Sequence, residues 1–374
     1  RPPRSTLFPY TTLFRSTLDK VVYYPLNHKN PYVAIVTEAI KNAGYEVYDL
    51  EDIKKNHKLA KEIKIINLNW FDSIGDCQLW KAIALLMRQL LRVAYYKWCG
   101  MKIIYTMHNR QAHDTKYKRI NHFLMKFLCK KADYIAVLCT YSKKILRDFL
   151  SNEDIEKKVR VMYHPSYEGA YSEKKMPIPE LPNSVKRNMH ILFMGSVRPY
   201  KNIELILEAA NKSQGKNIEF VIAGKANNKD YEKLIQDKVN HLSKVTFIPR
   251  FIEDSEMFSF YDWADIVLIP LDIKSSLNSG SSVLAFTMGK TVIIPKIGTV
   301  RDFPRELMFS YEYENESEHL NALVDKINEA FMKWSDNPKS IERMGSEIRE
   351  YLNNNFSKEK TEERYRKLYQ EAIK

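Results

Sequence analysis

The sequence predicts an α/β protein made of two Rossmann-like domains that face each other across a cleft, followed by C-terminal helices. First, the chain has 374 residues, which is more than one average domain and enough for two. Second, short apolar strand patterns alternate with helix patterns, and this alternation is typical of parallel sheets covered on both faces. Third, the alternation stops at a proline-containing stretch, residues 166–188, and then starts again.

These observations divide the chain into segments. We expect an N-terminal domain at 17–165, a linker at 166–188, a C-terminal domain at 189–355 and a last helix at 356–374 that packs back on the N-terminal domain. Residues 1–16 are left out of this division, because Thr6–Ser16 reads like the in-frame translation of a DNA-sequencing adapter. We expect residues 1–16 to be an artefact of sequence assembly.

The pattern of apolar residues in the N-terminal half predicts six strands and four helices. The strands are expected at 21–24, 46–50, 63–68, 102–106, 134–139 and 159–163. The helices are expected at 31–43, 79–98, 116–129 and 142–149.

The C-terminal half repeats the pattern. Strands are expected at 190–194, 218–223, 245–249, 266–270 and 291–295. Helices are expected at 202–212, 229–239, 255–263 and 281–288, and the tail adds 318–334, 339–354 and 358–373. Ligands of such folds bind at the carboxyl ends of the strands, so we expect the site in the cleft between the halves.

The net positive charge of the chain comes from its N-terminal half, because the C-terminal half has equal numbers of basic and acidic residues. Residues 17–185 carry 28 Lys and Arg against 18 Asp and Glu, whereas residues 186–374 carry 28 of each. This excess favours an anionic partner such as a membrane surface or a lipid diphosphate, although solubility alone also explains it. Nucleic acid is not expected, because the cations are dispersed and form no known reading helix.

Cysteine usage and hydropathy restrict the location. The four cysteines form no C-x-x-C pair, so neither a zinc site nor a disulfide framework is predicted, and a reducing cytoplasm fits best. No apolar run reaches the length of a membrane span. The segment 79–98 interleaves cations with apolar and aromatic residues, a pattern that suits a helix lying in a membrane interface or one facing the core. A peripheral position at the inner face of the membrane is therefore compatible with the sequence.

Two loops in the C-terminal half suit a diphosphate. Gly195, Arg198 and Lys201 lie between a strand and a helix, where cations beside free backbone N–H groups bind phosphate well. A second helix start carries small polar residues, Asn278, Ser279, Gly280, Ser281 and Ser282, which leave N–H groups open to an anion. Each pattern also fits an ordinary loop or a serine N-cap.

Two further groups complete the candidate site. Arg250, Phe251 and Ile252 follow a strand and could hold a nucleotide base. In the N-terminal half, His108, His113 and Asp114 follow the strand 102–106. His113 or Asp114 could take a proton from an acceptor hydroxyl, and His108 could position donor or acceptor. His108 could instead brace its loop, and no third metal ligand lies nearby in the sequence, so no metal site is predicted.

The order and spacing of these segments resemble GT-B glycosyltransferases of family 4, the group 1 enzymes of bacterial polysaccharide synthesis. The resemblance covers nearly all of 190–300 and, more loosely, 20–165. It implies that Gly195, Arg198 and Lys201 grip the donor diphosphate, and Tyr105–Asp114 resembles a T-x-H-N-x-x-x-H-[DE] signature of such enzymes. Where many members carry two glutamates eight residues apart, this chain has Ser276 and Leu284, so ribose recognition must differ.

The resemblance implies transfer of a sugar from a UDP- or GDP-linked donor to a saccharide or lipid-linked saccharide. No cofactor and no metal are expected. Two alternatives stay open: a nucleotide-sugar epimerase, and a non-catalytic protein that binds nucleotide sugar or polyanion.

Overall fold

The computed structural model describes residues 18–28, 30–110, 116–150, 153–183 and 188–374. His113 and Asp114 lie outside these ranges. The described chain contains two six-stranded sheets in which all strands run parallel. The predicted fold class, two α/β domains with C-terminal helices, is confirmed.

The first sheet is formed by the N-terminal half. Its strands are β1 (Asp19–Tyr24), β2 (Tyr45–Tyr48), β3 (Ile63–Asn69), β4 (Lys102–Met107), β5 (Tyr134–Val137) and β6 (Val159–Val161). Its helices are α1 (Pro31–Asn42), α2 (Leu50–Lys55), α3 (His57–Glu62), α4 (Leu79–Trp98), α5 (Lys118–Lys131) and α6 (Ser142–Leu150). The spatial order β2-β1-β3-β4-β5-β6 reverses direction between β1 and β3.

The second sheet is formed by the C-terminal half. Its strands are β7 (Met189–Met194), β8 (Ile218–Ala223), β9 (Val245–Ile248), β10 (Ile266–Leu268), β11 (Thr291–Pro295) and β12 (Phe309–Tyr311). The helices α7 (Ile203–Lys212), α8 (Lys229–Val239), α9 (Met257–Trp263) and α10 (Gly280–Thr287) connect them. The order β12-β11-β10-β7-β8-β9 places the reversal between β7 and β10. Ligands of open α/β sheets bind at this kind of switch point, beyond the carboxyl ends of the strands.

Three long helices end the chain: α11 (Glu316–Asp336), α12 (Pro338–Phe356) and α13 (Lys358–Ile373). The first two pack on the second sheet, whereas α13 packs against α1 and β3 of the first. Tyr365 and Tyr369 are almost fully buried there, in one apolar cluster with Tyr23 and Tyr32. Glu371 adds an ion pair of 2.8 Å to Arg160.

The predicted elements differ from the observed ones mainly at short segments. The strand expected at 46–50 ends at Tyr48, because Asp49 is the N-cap of α2 and accepts a hydrogen bond from the Glu51 amide. Helices α2 and α3 and strand β12 were not predicted from the sequence. Within the described ranges, no helix is long and apolar enough to cross a membrane.

Candidate active site

The two domains touch where the strands of both sheets end. Asn278 donates its side-chain Nδ2 to the backbone carbonyl of His108 at 2.6 Å, and the Leu277 amide donates to Asn109 Oδ1 at 3.4 Å. Beside this contact, the Thr140 amide and hydroxyl both donate to the Asp302 carboxylate. The loops after β4 and β5 therefore meet the loops after β10 and β11, and the candidate site is built at this junction.

The glycine loop after β7 lies against the neighbouring strand end. A Cβ placed on Gly224, which directly follows β8, would lie 1.7 Å from the carbonyl oxygen of Gly195. Both glycines have positive φ, +146° at Gly195 and +150° at Gly224, a region that other residues rarely adopt. Pairing continues past the strands, since the Val197 amide donates to the Lys225 carbonyl at 3.0 Å. The loop is thus held by the sheet itself.

The same loop is tied to the other side of the switch point. Asn202, in left-handed conformation, donates its side-chain amide to the Pro270 carbonyl at 2.7 Å. Pro270 is the second residue after β10. This bond fixes the short turn Pro199–Lys201 between β7 and β10, where the topology places a ligand.

Lys201 in this turn has no anionic partner in the described structure. Its side chain is partly buried, its ammonium group lies 5.2 Å from the centre of the Tyr200 ring, and none of the described ion pairs includes it. Burial, followed by the nearby positive charge of Arg198, lowers the pKa of Lys201 to about 8. A cation that has lost hydration without gaining a counter-ion favours an anionic ligand.

Helix α10 begins at the junction of the domains. Ser279 is its N-cap and accepts from the Ser282 amide at 3.1 Å, while Ser282 returns its hydroxyl to the Ser279 carbonyl at 2.8 Å. These two side chains therefore hold the helix start together. The Gly280 and Ser281 amides belong to the first turn, whose N–H groups have no intrahelical acceptor.

Gly280 allows a close approach by residues that connect the two domains. An added Cβ would lie 2.9 Å from Tyr167 Oη and 3.4 Å from His164 Nε2. Thr299 supports the preceding residues, since it accepts from the Ser279 amide at 3.1 Å and donates to Asn278 Oδ1 at 3.2 Å. The helix start is thus framed by polar groups from three separate segments.

His108 follows β4 and is held on an aromatic platform. Its ring stacks on Trp70 with the centroids 4.2 Å apart, and Tyr32 meets it edge-on at 5.4 Å. Its Nε2 lies 3.1 Å from Asn69 Oδ1. The Asn69 amide nitrogen donates to the Tyr24 carbonyl at 3.1 Å, so its oxygen faces the ring and accepts. This network places the proton on Nε2 and leaves Nδ1 with a lone pair.

The protonation state of His108 follows from its surroundings. Burial, and secondarily the neighbouring His164, lower the pKa of His108 to about 3. Burial also lowers the pKa of His164 to about 4. Both rings are therefore neutral at physiological pH, and His108 Nδ1 is suited to accept a hydrogen bond from a hydroxyl.

The three residues proposed for a nucleotide base have different surroundings. Arg250 forms ion pairs with Glu180 at 2.8 Å and Glu256 at 2.7 Å, and these carboxylates raise its pKa. Phe251 is 61% exposed, while Ile252 is buried in the core. The positive charge of Arg250 is therefore paired with one carboxylate from the linker, Glu180, and one from the start of α9, Glu256.

The positions where the resemblance implies two glutamates are both buried. Ser276 donates its amide to the Asp272 carbonyl at 2.9 Å, and Leu284 packs in the apolar core. In the described ranges, no three His, Cys, Asp or Glu side chains come close enough to hold a metal ion.

Three residues of the site were missed from the sequence: Trp70, His164 and Tyr167. Trp70 comes directly after β3, at the switch point of the first sheet, which was the signal that could have found it. His164 lies just before the linker and Tyr167 at its start, and only the folded chain brings them to α10. A cavity of about 710 Å³ lies elsewhere, near the starts of β10 and β11 beside α12, and is not part of this junction.

Comparison with known proteins agrees with this architecture. Residues 178–351 match the family described as glycosyl transferases group 1. Over 144 residues the chain is 22% identical to GDP-mannose:glycolipid 4-beta-D-mannosyltransferase of Xanthomonas campestris pv. campestris. That alignment covers 37% of this chain and 41% of the relative.

Solved structures share the fold over nearly the whole chain. Sucrose-phosphate synthase of Thermosynechococcus elongatus superposes with a TM-score of 0.67 at 15% identity, covering 94% of this chain and 95% of that one. Anabaena HepE, in complex with UDP and glucose, gives a TM-score of 0.65 at 12% identity, covering 95% and 100%. A glycosyltransferase from Rickettsia africae gives 0.61 at 17% identity, covering 93% and 83%.

The two parallel sheets and the likeness to the solved structures give the chain the GT-B fold, and the region that matches the family, residues 178–351, lies in its C-terminal half, as the sequence resemblance implied.

Proposed function

We propose that the protein transfers a sugar from a UDP- or GDP-linked donor to a hydroxyl of a saccharide or lipid-linked saccharide. The observation that carries this proposal is the uncompensated cation of Lys201 at the switch point of the second sheet, with the start of α10 at the adjoining domain junction. A departing diphosphate is the ligand whose charge this arrangement suits.

Each donor-site residue then has a role. Gly195 lets the backbone approach the diphosphate, and Arg198 and Lys201 neutralise the charge that develops as it leaves. The Gly280 and Ser281 amides donate hydrogen bonds to it, and Asn278 holds the loop against the N-terminal domain. Because these groups supply the neutralising charge, we propose that the reaction needs no metal.

His108 acts on the acceptor side. A pKa of about 3 makes its imidazole a weak base, so we propose that Nδ1 positions the acceptor hydroxyl instead of removing its proton. If the reaction inverts the sugar's configuration, the base is His113 or Asp114, which remain predictions.

The identity of the base is the first question to test. The Xanthomonas relatives are named for GDP-mannose and a glycolipid acceptor, whereas Anabaena HepE is solved with UDP and UDP-glucose. The protein without residues 1–16 is screened by thermal shift in EDTA against UDP, GDP and ADP, then against the corresponding sugars. Selective stabilisation by one nucleotide supports the donor site and names the base, because a ligand specific to the native state raises its stability.

No shift with any nucleotide at millimolar concentration would contradict the donor site. A shift that appears only when Mg²⁺ or Mn²⁺ replaces EDTA would contradict metal independence alone. Stabilisation without turnover on any saccharide or lipid-linked acceptor would favour the non-catalytic alternative.

A further inference from the structure

Helix α4 presents a continuous apolar surface to solvent. Trp80, Leu91 and Trp98 are 64%, 66% and 83% exposed. Ile83, Met87 and Tyr95 lie between them at intervals of three or four residues, so all six share one side of the helix. Large apolar side chains in one contiguous patch mark an interaction surface more often than scattered ones do.

The helix does not need this side for folding. Its other side buries Ala82, Val93 and Tyr96 in the core of the N-terminal domain. The core-facing and interface interpretations of 79–98 are therefore compatible, because they concern opposite sides of one helix. The six exposed residues, together with Phe123 of the adjacent α5, are called the α4–α5 face; Phe123 is 52% exposed.

The cations around this face lack acidic neighbours on the same helices. Together α4 and α5 contain nine Lys and Arg and no Asp or Glu: Lys81, Arg88, Arg92, Lys97, Lys118, Arg119, Lys126, Lys130 and Lys131. Lys97 is paired with Asp133 at 2.6 Å. An apolar stripe beside cations matches an interface with anionic headgroups outside and acyl chains beneath.

We propose that the α4–α5 face docks the protein onto an anionic lipid bilayer, with α4 lying in the plane of the interface. Its six exposed residues extend over roughly 27 Å of helix, with a tryptophan near each end, and indole rings favour the headgroup level of a membrane. A second copy of this chain is a poorer occupant, because pairing two such faces would bring their cations together.

The face is rigidly connected to the candidate active site. The segment between β3 and α4 starts at Trp70, on which His108 stacks. Asn121 of α5 accepts from the Ile74 amide at 3.0 Å and donates to its carbonyl at 3.2 Å. Tyr117 donates its hydroxyl to the Cys77 carbonyl. Docking would therefore hold the acceptor side of the cleft near the lipid surface.

The test is flotation with vesicles of phosphatidylcholine alone and of phosphatidylcholine with 30% phosphatidylglycerol, a composition of about one anionic lipid in three. The variant Leu91→Ser/Trp98→Ser removes two members of the face. The matched control Leu234→Ser/Met332→Ser removes two exposed apolar residues, 44% and 66% exposed, from α8 and α11 of the other domain. Circular dichroism and thermal unfolding check that each variant folds.

We expect the wild type and the control variant to float with anionic vesicles. The affinity of the Leu91→Ser/Trp98→Ser variant for these vesicles should be lower by roughly tenfold or more, because two large apolar contacts are lost. Binding of the wild type should also weaken at high salt. The proposal would be overturned if the two variants bound anionic vesicles equally well. It would also be overturned if the wild type bound neutral vesicles as well as anionic ones, or bound neither. A dimer that only the Leu91→Ser/Trp98→Ser substitution dissociates would overturn it as well. None of these readouts requires turnover, so they are independent of the transfer reaction.

Discussion

The Asn278 side chain donates a hydrogen bond of 2.6 Å to the His108 carbonyl across the junction of the two domains. The two residues are 170 positions apart. One belongs to the loop before α10 and the other directly follows β4, so the bond sets the position of the proposed donor loop relative to the proposed acceptor residue. Together with the Leu277–Asn109 and Thr140–Asp302 contacts, it holds the two sides of the cleft in place.

Replacing Asn278 by alanine should therefore damage turnover more than stability. We expect a loss of about 1 kcal/mol in the free energy of unfolding, the usual value of one hydrogen bond. The specificity constant should fall roughly tenfold, because small displacements of reacting groups are costly. Urea unfolding and steady-state kinetics measure the two quantities. Asn240→Ala is the control, since its side chain accepts only from Gln236 in the described structure; equal kinetic loss in both variants would contradict the prediction.

Gly224→Ala should prevent the close contact with Gly195. The new Cβ would lie 1.7 Å from a backbone oxygen and the residue would keep a positive φ, so the strand ends must separate. We expect at least about 2 kcal/mol of destabilisation and loss of nucleotide binding. Gly75→Ala provides the comparison, because a Cβ there meets nothing within 4 Å and φ is not positive. Denaturant unfolding measures the loss of stability, and nucleotide titration measures the loss of binding. A Gly224→Ala protein as stable as the wild type would contradict the predicted clash with Gly195.

Lys201 should make nucleotide binding depend on pH. Its pKa of about 8 means that the free protein loses this cation as pH rises through about 8. Affinity for a nucleoside diphosphate should therefore decline from pH 7 to pH 9. Lys201→Gln should bind roughly 10–100-fold more weakly at pH 7, as expected for a lost charge-assisted hydrogen bond.

Lys201→Arg provides the sharper comparison, because arginine remains charged throughout this range. It should bind at pH 9 nearly as well as at pH 7. Isothermal titration at both pH values measures the effect. If the arginine variant shows the same decline as the wild type, another group causes the pH dependence.

The buried histidines should make the fold sensitive to mild acid. Burial lowers the pKa values of His164 and His319 to about 4, below the ordinary value of 6.5. The unfolded chain therefore binds protons from pH 6.5 downward, whereas the native protein resists them until near pH 4. Stability should be fully present above pH 6.5 and fall between pH 6.5 and 4.

The size of this effect can be measured by urea unfolding at pH 7.5 and pH 5.0. Each of the two histidines should contribute roughly 1–2 kcal/mol to the loss. His319→Gln should reduce the difference between the two pH values, while His241→Gln, at an exposed position, should not. An unchanged difference in the His319 variant would show that other groups dominate the acid response.

Periodicity in the sequence located the long elements well. Strand 291–295 and helix 358–373 were predicted to the residue, because the strand is a short apolar run between two lysines and the helix has its buried residues at intervals of three or four. Strand Phe309–Tyr311 has three residues, and α2 and α3 have six each, so they are too short for a period to be recognised.

The site was predicted less completely, because its contacts join distant parts of the chain. Glycine at 195 was identified as a turn residue, but its contact with Gly224 depends on the alignment of two strands. The role of Arg250 at a nucleotide base stays a prediction, and its pairing with Glu180, 70 residues earlier, could not be seen in the local sequence. The stacking of His108 on Trp70 likewise follows from the order of strands in the sheet and from no local pattern.

The position of α13 has a consequence for synthesis of the protein. Tyr365 and Tyr369 complete the apolar cluster around Tyr23 and Tyr32, so the N-terminal domain is completed by residues that are translated after the whole second domain. A nascent N-terminal half must wait with this surface uncovered while the entire second domain is made. Expression of residues 18–165 alone would leave the same surface bare, and addition of a peptide spanning 358–373 in trans is the natural way to restore it.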